Sequence, residues 1–275
     1  MASIAILAHE LDRILWRRRD GNGYNCPYLV GRLAFELIRR GHAVELVHGL
    51  RAENPEPDLA ILHVDLTRVP DAYLAFAAGF PKCLNVKVAD IAKTAVSDAL
   101  FDRQPDWDGP VIVKSNLNCN GGSEAAKAAL RAGHAPKPAP APDYRVFDSI
   151  RDVPDALRRD PELVIDRFLP EREGEFFAIR HWTFCGDRGH CSRYLSRESV
   201  IKGANLIRRD PVPVPEALRR KRAELGFDYG KFDFVMHDGE CFLLDANKTP
   251  GSPPPLTLAD GTYVAALCDG LESYL

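Results

Sequence analysis

The stretch Phe232–Pro255, FDFVMHDGECFLLDANKTPGSPPP, decides how this chain is read. FDFVM and CFLLDAN alternate apolar and polar residues, and HDGE between them carries the Asp-Gly of a tight turn, so the stretch predicts a β-hairpin. Its acids are out of place. Asp233 on the first strand and Asp245 and Asn247 on the second stand where apolar residues would pack better. Residues two apart on a strand share a face, so Asp245 and Asn247 point the same way, and pairing can bring Asp233 opposite them. Three oxygen-bearing side chains on one face suit a hard cation such as Mg²⁺, which keeps waters and takes further ligands from phosphates. The bland alternative, acids of an edge strand facing water, fits poorly. FLLDAN is too apolar for a free edge, and KTPGSPPP turns the chain away sharply.

Composition bounds the rest. A chain of 275 residues, 45% hydrophobic and 27% charged, is globular and large enough for one big domain or a few small ones. A net charge of −3 gives no support to a nucleic-acid surface. The longest apolar runs, such as YLAFAAGF, fall short of the roughly 20 residues of a membrane span. The N-terminal segment lacks a basic stretch ahead of an apolar core. Seven cysteines without a CxxC pair read as reduced thiols, neither a disulfide framework nor a zinc site. The expectation is a cytoplasmic protein with no nucleic-acid or membrane partner; its oligomeric state is not legible.

Along the chain, strands and helices alternate. SIAILAH, AVELVHG and DLAILHVD read as strands, and PYLVGRLAFELIRRGH as an amphipathic helix stopping at Gly41. That rhythm predicts a small parallel sheet flanked by helices. VPDAYLAFAAGFP and VADIAKTAVSDALF read as helices, then GPVIVKS as a strand. HAPKPAPAPDY reads as an exposed connection. ELVIDRFLP, GEFFAIRHWTFCGD and HCSRYLSRES read as successive strands, with VPEALRRKRAELGF a helix before the hairpin. There is no internal repeat.

Other candidates are unremarkable singly. Lys93 falls on a predicted helix, and Lys114 ends VIVK, where a lysine is ordinarily a solvated strand terminus adding little to the core. Gly121, Gly122 and Ser123 in SNLNCNGGSE could cradle a phosphate with backbone N–H groups, although any tight loop uses such residues. No GKS or GKT follows, and no GxGxxG opens the N-terminal helix, which excludes a Walker loop and a dinucleotide fingerprint. WRRRD at 16–20 and the loop around Cys26 could border an anionic substrate, but read more simply as a solvated turn and an ordinary loop. His9, His48 and His63 read as satisfied polar positions rather than ligands.

Taken together, DFVMHDGECFLLDANKTPG resembles the metal-binding hairpin of the ATP-grasp superfamily, typified by D-alanine–D-alanine ligase: an Asp on the first strand, then Glu-x-Asn and Thr/Ser-Pro-Gly. This chain has Asp245 where Glu is usual. Lys93, Lys114 before the Gly-rich loop, and VIDRFLPE follow the family order. The resemblance implies an α/β chain with the ATP-grasp fold: a small Rossmann-like parallel-sheet domain over 1–85, a small lobe over 86–165 and a large, metal-bearing lobe over 166–275. ATP would lie between the lobes, its adenine against Asp166, Arg167, Phe168 and Leu169, and its ribose near Glu175. Its phosphates would meet Lys93, Lys114, Gly121, Gly122 and Ser123. Asp233, Asp245 and Asn247 would hold Mg²⁺, while Lys231, Arg180 and Arg193 would act on the transferring phosphoryl group from strands lining the cleft.

The implied activity is an ATP- and Mg²⁺-dependent ligase of the carboxylate–amine type (or with a thiol in place of the amine), acting on small-molecule or peptide substrates through an acylphosphate. A phosphotransferase on the same fold, and a nucleotide-binding protein without catalysis, stand as alternatives.

Overall fold

The computed structural model describes residues 1–12, 26–51, 56–137, 144–251 and 262–275. The WRRRD cluster, the middle of the Pro/Ala connection and the prolines after Gly251 lie outside the described residues. Three sheets organise the chain. The first is parallel, in the order β2-β1-β3-β4, from β1 (Ser3–Ala8), β2 (Ala43–His48), β3 (Leu59–Leu62) and β4 (Cys83–Leu84). β3 is buried throughout and β1 from Ile4 onward, which is why both read as unbroken apolar runs. Helix α1 (Leu29–Arg39) lays Leu29, Val30, Leu33 and Leu37 on the sheet, and α2 (Asp71–Ala78) follows β3. The α/β expectation holds.

The second sheet is antiparallel, β6-β5-β7, from β5 (Val111–Ser115), β6 (Arg145–Phe147) and β7 (Leu163–Arg167). Val111 and Val113 point into a small core with Phe101, Phe147 and Ile150. The intervening positions, Ile112 and Lys114, therefore face the opposite side. The third sheet runs β11-β10-β9-β12-β13, with β8 (Glu171–Glu173) on part of β9. Its long strands are β9 (Phe176–Cys185), β10 (Arg188–Ser196), β12 (Tyr229–His237) and β13 (Glu240–Asn247), with β11 (Arg208–Pro211) at the edge. One face of it carries Trp182, Phe184, Phe232, Phe234 and Leu243 against helix α6 (Glu216–Glu224) and the chain around Val88–Val96.

Three elements differ from the sequence expectation. VADIAKTAVSDALF is helical only over α3 (Lys93–Val96). Its backbone is drawn outward instead: Ile91 N–H donates to Thr67 O, Lys93 N–H to Asn116 O, and Asp98 N–H to Leu243 O. Tertiary hydrogen bonds win over helix propensity. The Gly-Gly segment opens helix α4 (Gly122–Arg131), and the chain closes with α7 (Thr262–Glu272); neither was expected. Helix α5 (Asp155–Arg158) is a single turn.

Helix α7 joins the first and third sheets. Leu267, Cys268 and Leu271 share one core with Ile4, Ile6 and Leu33 of the parallel sheet and its helix, and with Cys185 and Tyr229 of the large sheet. The contact is close: a Cβ added to Gly270 would overlap the carbonyl of Cys185. Gly270→Ala should therefore lower stability. The gain in helix propensity is about 1 kcal/mol, whereas forcing a methyl group against fixed backbone costs about 1–3 kcal/mol. Chemical denaturation of the variant checks the balance, and a rise in stability would mean α7 can slide off the sheet freely.

Candidate active site

The hairpin forms as its sequence grammar requires. Asp238 (φ 49°) and Gly239 (φ 82°) both adopt the left-handed conformation of a two-residue I′ turn between His237 and Glu240. Register then sets Asp233 directly opposite Asp245, and Lys231 opposite Asn247. A bulge between Asp233 and Phe234 makes Leu244 an extra residue, so that Leu244 and Asp245 both reach the adjoining cleft.

Two carboxylates so placed need compensating charge. Lys231 Nζ donates to Asp233 Oδ2 at 3.1 Å and lies 3.0 Å from Oδ1. Lys93 Nζ stands 3.5 Å from Asp245 Oδ1 and donates to Leu117 O at 3.0 Å. His181, opposite Asp233 on β9, brings Nε2 to 3.6 Å from Oδ1. Burial alone would raise the Asp233 pKa, but the positive charges of His181 when protonated, Lys231 and Lys93 outweigh it and hold the carboxyl below its ordinary value. Burial likewise works against the Lys231 ammonium, and Asp233 more than restores it. For His181 burial wins over Asp233 and pulls the ring down to about 4, leaving a neutral imidazole at pH 7. Asp233 Oδ1 and Asp245 Oδ1 are buried, and beyond the ion-pair contacts of Lys231, His181 and Lys93 neither accepts a well-aligned hydrogen bond.

Those two anionic oxygens, short of aligned donors, fit a hard cation that accepts oxygen ligands. Asn247, two residues from Asp245 on the same strand, has its Oδ1 held by the Thr249 N–H at 2.8 Å, which leaves that oxygen a second lone pair, so the two carboxylates carry most of the fit. No three His, Cys, Asp or Glu side chains gather as a metal cluster among the described residues.

The cleft beside the pair holds about 280 Å³ and lies between the two antiparallel sheets. Lys93, Lys114, Asp166, Arg167, Phe168 and Leu169 line it together with Asp233 and Asp245. Lys114 is no solvated strand end: it is buried, pairs with Asp166 Oδ2 at 2.6 Å and donates to Leu244 O at 3.3 Å. Asp166 also accepts from Ser97 Oγ. Arg167 turns its guanidinium from the cleft onto Gln104 and Asp98 O.

Other expected residues stand elsewhere. Arg180 and Arg193 are cross-strand neighbours on the apolar face that carries Trp182 and Phe234, so they do not line the cleft with Asp233. Both are locked onto the buried Glu171, Arg180 through two nitrogens and Arg193 at 2.7 Å. Glu175 is exposed, pairs with Arg197 at 3.2 Å and is absent from the cleft lining. Gly121 follows two residues with left-handed backbone, Cys119 and Asn120, and Gly122 starts α4. Ser123 Oγ donates to Asp65, Glu124 accepts the Thr67 N–H and Lys127 donates to Asp65 O. The glycine-rich segment is thus clamped to the parallel sheet's C-terminal edge, where a free loop was expected.

Sequence reasoning missed His181, Tyr144 at the cleft wall, and a buried group around Asp65. The signal for His181 was strand parity, since it alternates with Trp182, which packs in the apolar core. His63 also departs from expectation: it is fully buried against Tyr28, and neither ring nitrogen has a hydrogen-bond partner.

No protein-family model matches the sequence, and no curated protein does. Solved structures do match. The ATP-grasp ligase PsnB, solved with a minimal precursor, is 16% identical over 100% of both chains with a TM-score of 0.55. The D-cycloserine synthetase DcsG is 14% identical, covering 99% of this chain and 100% of its own, with a TM-score of 0.51. D-alanine–D-alanine ligase from Bacillus anthracis, solved with ATP, is 13% identical over 100% of this chain and 97% of its own, with a TM-score of 0.50. What is shared at such identities is the fold, and this chain has the ATP-grasp fold.

Lys114→Met should cost about 3–5 kcal/mol, because it strands the buried Asp166 carboxylate. Lys114→Met with Asp166→Asn should recover most of that loss in equilibrium unfolding; equal destabilisation by the double variant would mean the pair is not coupled. Asp65 supplies a pH test. Burial pushes its carboxyl up, but hydrogen bonds from Ser123, Tyr28 and Thr249 hold it below the ordinary carboxylate value. Its contribution to stability is complete above a pH of about 4 and lost as pH falls through the depressed folded value. Asp65→Asn should flatten that acid limb of the stability profile, and an unchanged limb would exonerate Asp65.

Proposed function

We propose that this protein is an ATP-dependent ligase that joins a carboxylate to an amine or thiol nucleophile. One observation carries the proposal: two half-buried carboxylates, directly opposite each other and each beside a lysine, stand at the wall of a cleft between two antiparallel sheets. Lys93 and Lys114 would neutralise the nucleotide phosphates, and the chain over Asp166–Leu169 would receive the base. The backbone N–H groups of Gly121 and Gly122 would cover the phosphates, with the Ser123 hydroxyl already committed to Asp65. Mg²⁺, held by Asp233 and Asp245 with Asn247 beside them, would supply charge neutralisation at the nucleotide phosphates. The cysteines, all free, suit a reducing, cytoplasmic compartment.

In this reaction a substrate carboxylate oxygen attacks the γ-phosphorus. The bond to the bridging oxygen breaks, and ADP leaves with its electron pair. The nucleophile then attacks the acyl carbon, phosphate leaves with the carbon–oxygen pair, and one proton is released. The protein's part is positioning and charge. Lys231, paired with the Asp233 carboxylate, would help balance charge at the transferring phosphoryl group. Arg180 and Arg193, committed to Glu171 on the other face, serve the sheet rather than the transfer. Glu175 has no part in the proposal.

The test is product analysis with a panel of acids and amines. A ligase releases phosphate only when both are present, whereas a phosphotransferase needs one acceptor and leaves it phosphorylated. With an active pair in hand, Asp233→Asn should lower kcat by about 10²–10³-fold, with circular dichroism unchanged. A phosphorylated end product, or full activity in that variant, would overturn the proposal.

A further inference from the structure

Asp65, three residues beyond β3, is buried and touches neither the cleft lining nor the carboxylate pair. It nevertheless accepts hydrogen bonds from three parts of the chain. Tyr28 Oη, beside the start of α1, reaches Oδ2 at 2.6 Å. Ser123 Oγ, in the first turn of α4, donates to the same oxygen. Thr249 Oγ1, two residues past β13, reaches Oδ1 at 2.7 Å. The Asp65 carbonyl accepts from Lys127, which also pairs with Asp12 at 2.6 Å. A carboxylate this buried is tolerated because its donors are already in place.

Thr249 connects this hub to the site. Its hydroxyl stands 2.7 Å from Asp65 and 3.3 Å from Asn247 Oδ1, and its one proton goes to the nearer, charged acceptor. Its backbone N–H then donates to Asn247 Oδ1 at 2.8 Å. Asp65 therefore fixes Thr249, and Thr249 fixes the orientation of Asn247. Through Ser123 the same carboxylate fixes the start of α4, next to the left-handed run Cys119–Gly121.

We propose that Asp65 is a positioning residue, which sets from the parallel sheet the Asn247 side chain beside the carboxylate pair, together with the start of the helix that follows the glycine-rich turn. This rests on the function proposed above. Metal-assisted nucleotide binding then depends on a carboxylate that contacts neither metal nor nucleotide. Outer-shell partners of this kind orient the groups that do the binding.

The test compares ADP affinity by calorimetry with Mg²⁺ and with EDTA, in the parent protein and three variants. Thr249→Val removes the hydroxyl donor and keeps the N–H. It should reduce the Mg²⁺-dependent gain in affinity about tenfold while leaving the affinity in EDTA unchanged. Thr249→Ser restores the hydroxyl and should restore the gain. Tyr28→Phe removes a hydroxyl donor to Asp65 other than Thr249 and keeps the backbone bridge of Tyr28 to Gly251; it should lower the unfolding midpoint without touching the gain. A full Mg²⁺-dependent gain in Thr249→Val overturns the inference alone, as does an equal loss in Tyr28→Phe, which would make the hub a matter of general stability. A parent protein whose ADP affinity ignores Mg²⁺ sinks the ligase proposal and this inference with it.

Discussion

Two carboxylates facing each other across neighbouring strands repel unless something positive intervenes, and the arrangement of this molecule answers that constraint. Lys231 comes from the same strand two residues earlier, so the pleat delivers it to the same face as Asp233. Lys93 arrives from a different part of the chain, and its partner Asp245 is aimed by a bulge. One cation is thus local to its acid and the other is brought from a distant helix.

The hairpin was legible because its turn, its alternation and its acids lie within one short stretch, and each feature constrains the same register. The parallel sheet was legible for a similar reason, since β1 and β3 are apolar runs bounded by polar turns. The arginines were not. Arg180 and Arg193 look like cleft residues by type, yet each sits opposite the other on the face shared with Trp182 and Phe234. A shift of one position reverses a side chain's face, and the adjacent His181 is the residue that reaches Asp233.

What the sequence concealed were long-range hydrogen bonds. The segment Val88–Phe101 has helical composition, but its amides are claimed by Thr67, Asn116 and Leu243, which lie before and after it in the chain. Lys114 looked peripheral because its partner Asp166 is a whole connection away. The group around Asp65 gathers residues from 12 to 249, with no local pattern among them. Local rules reach propensity and periodicity; they do not reach which distant acceptor a buried donor will find.

Helix α7 carries a consequence for how the molecule can be divided. The apolar surface of the parallel sheet is completed by residues near the chain's other end, with Cys185 and Tyr229 of the large sheet in the same core. A chain cut after Leu84 would leave each fragment with an uncovered hydrophobic face. Gene fusions or domain exchanges that treat the first four strands as a transferable module would have to carry α7 with them. Evolution faces the same rule: the N-terminal sheet cannot be swapped for another without rewriting the C-terminus.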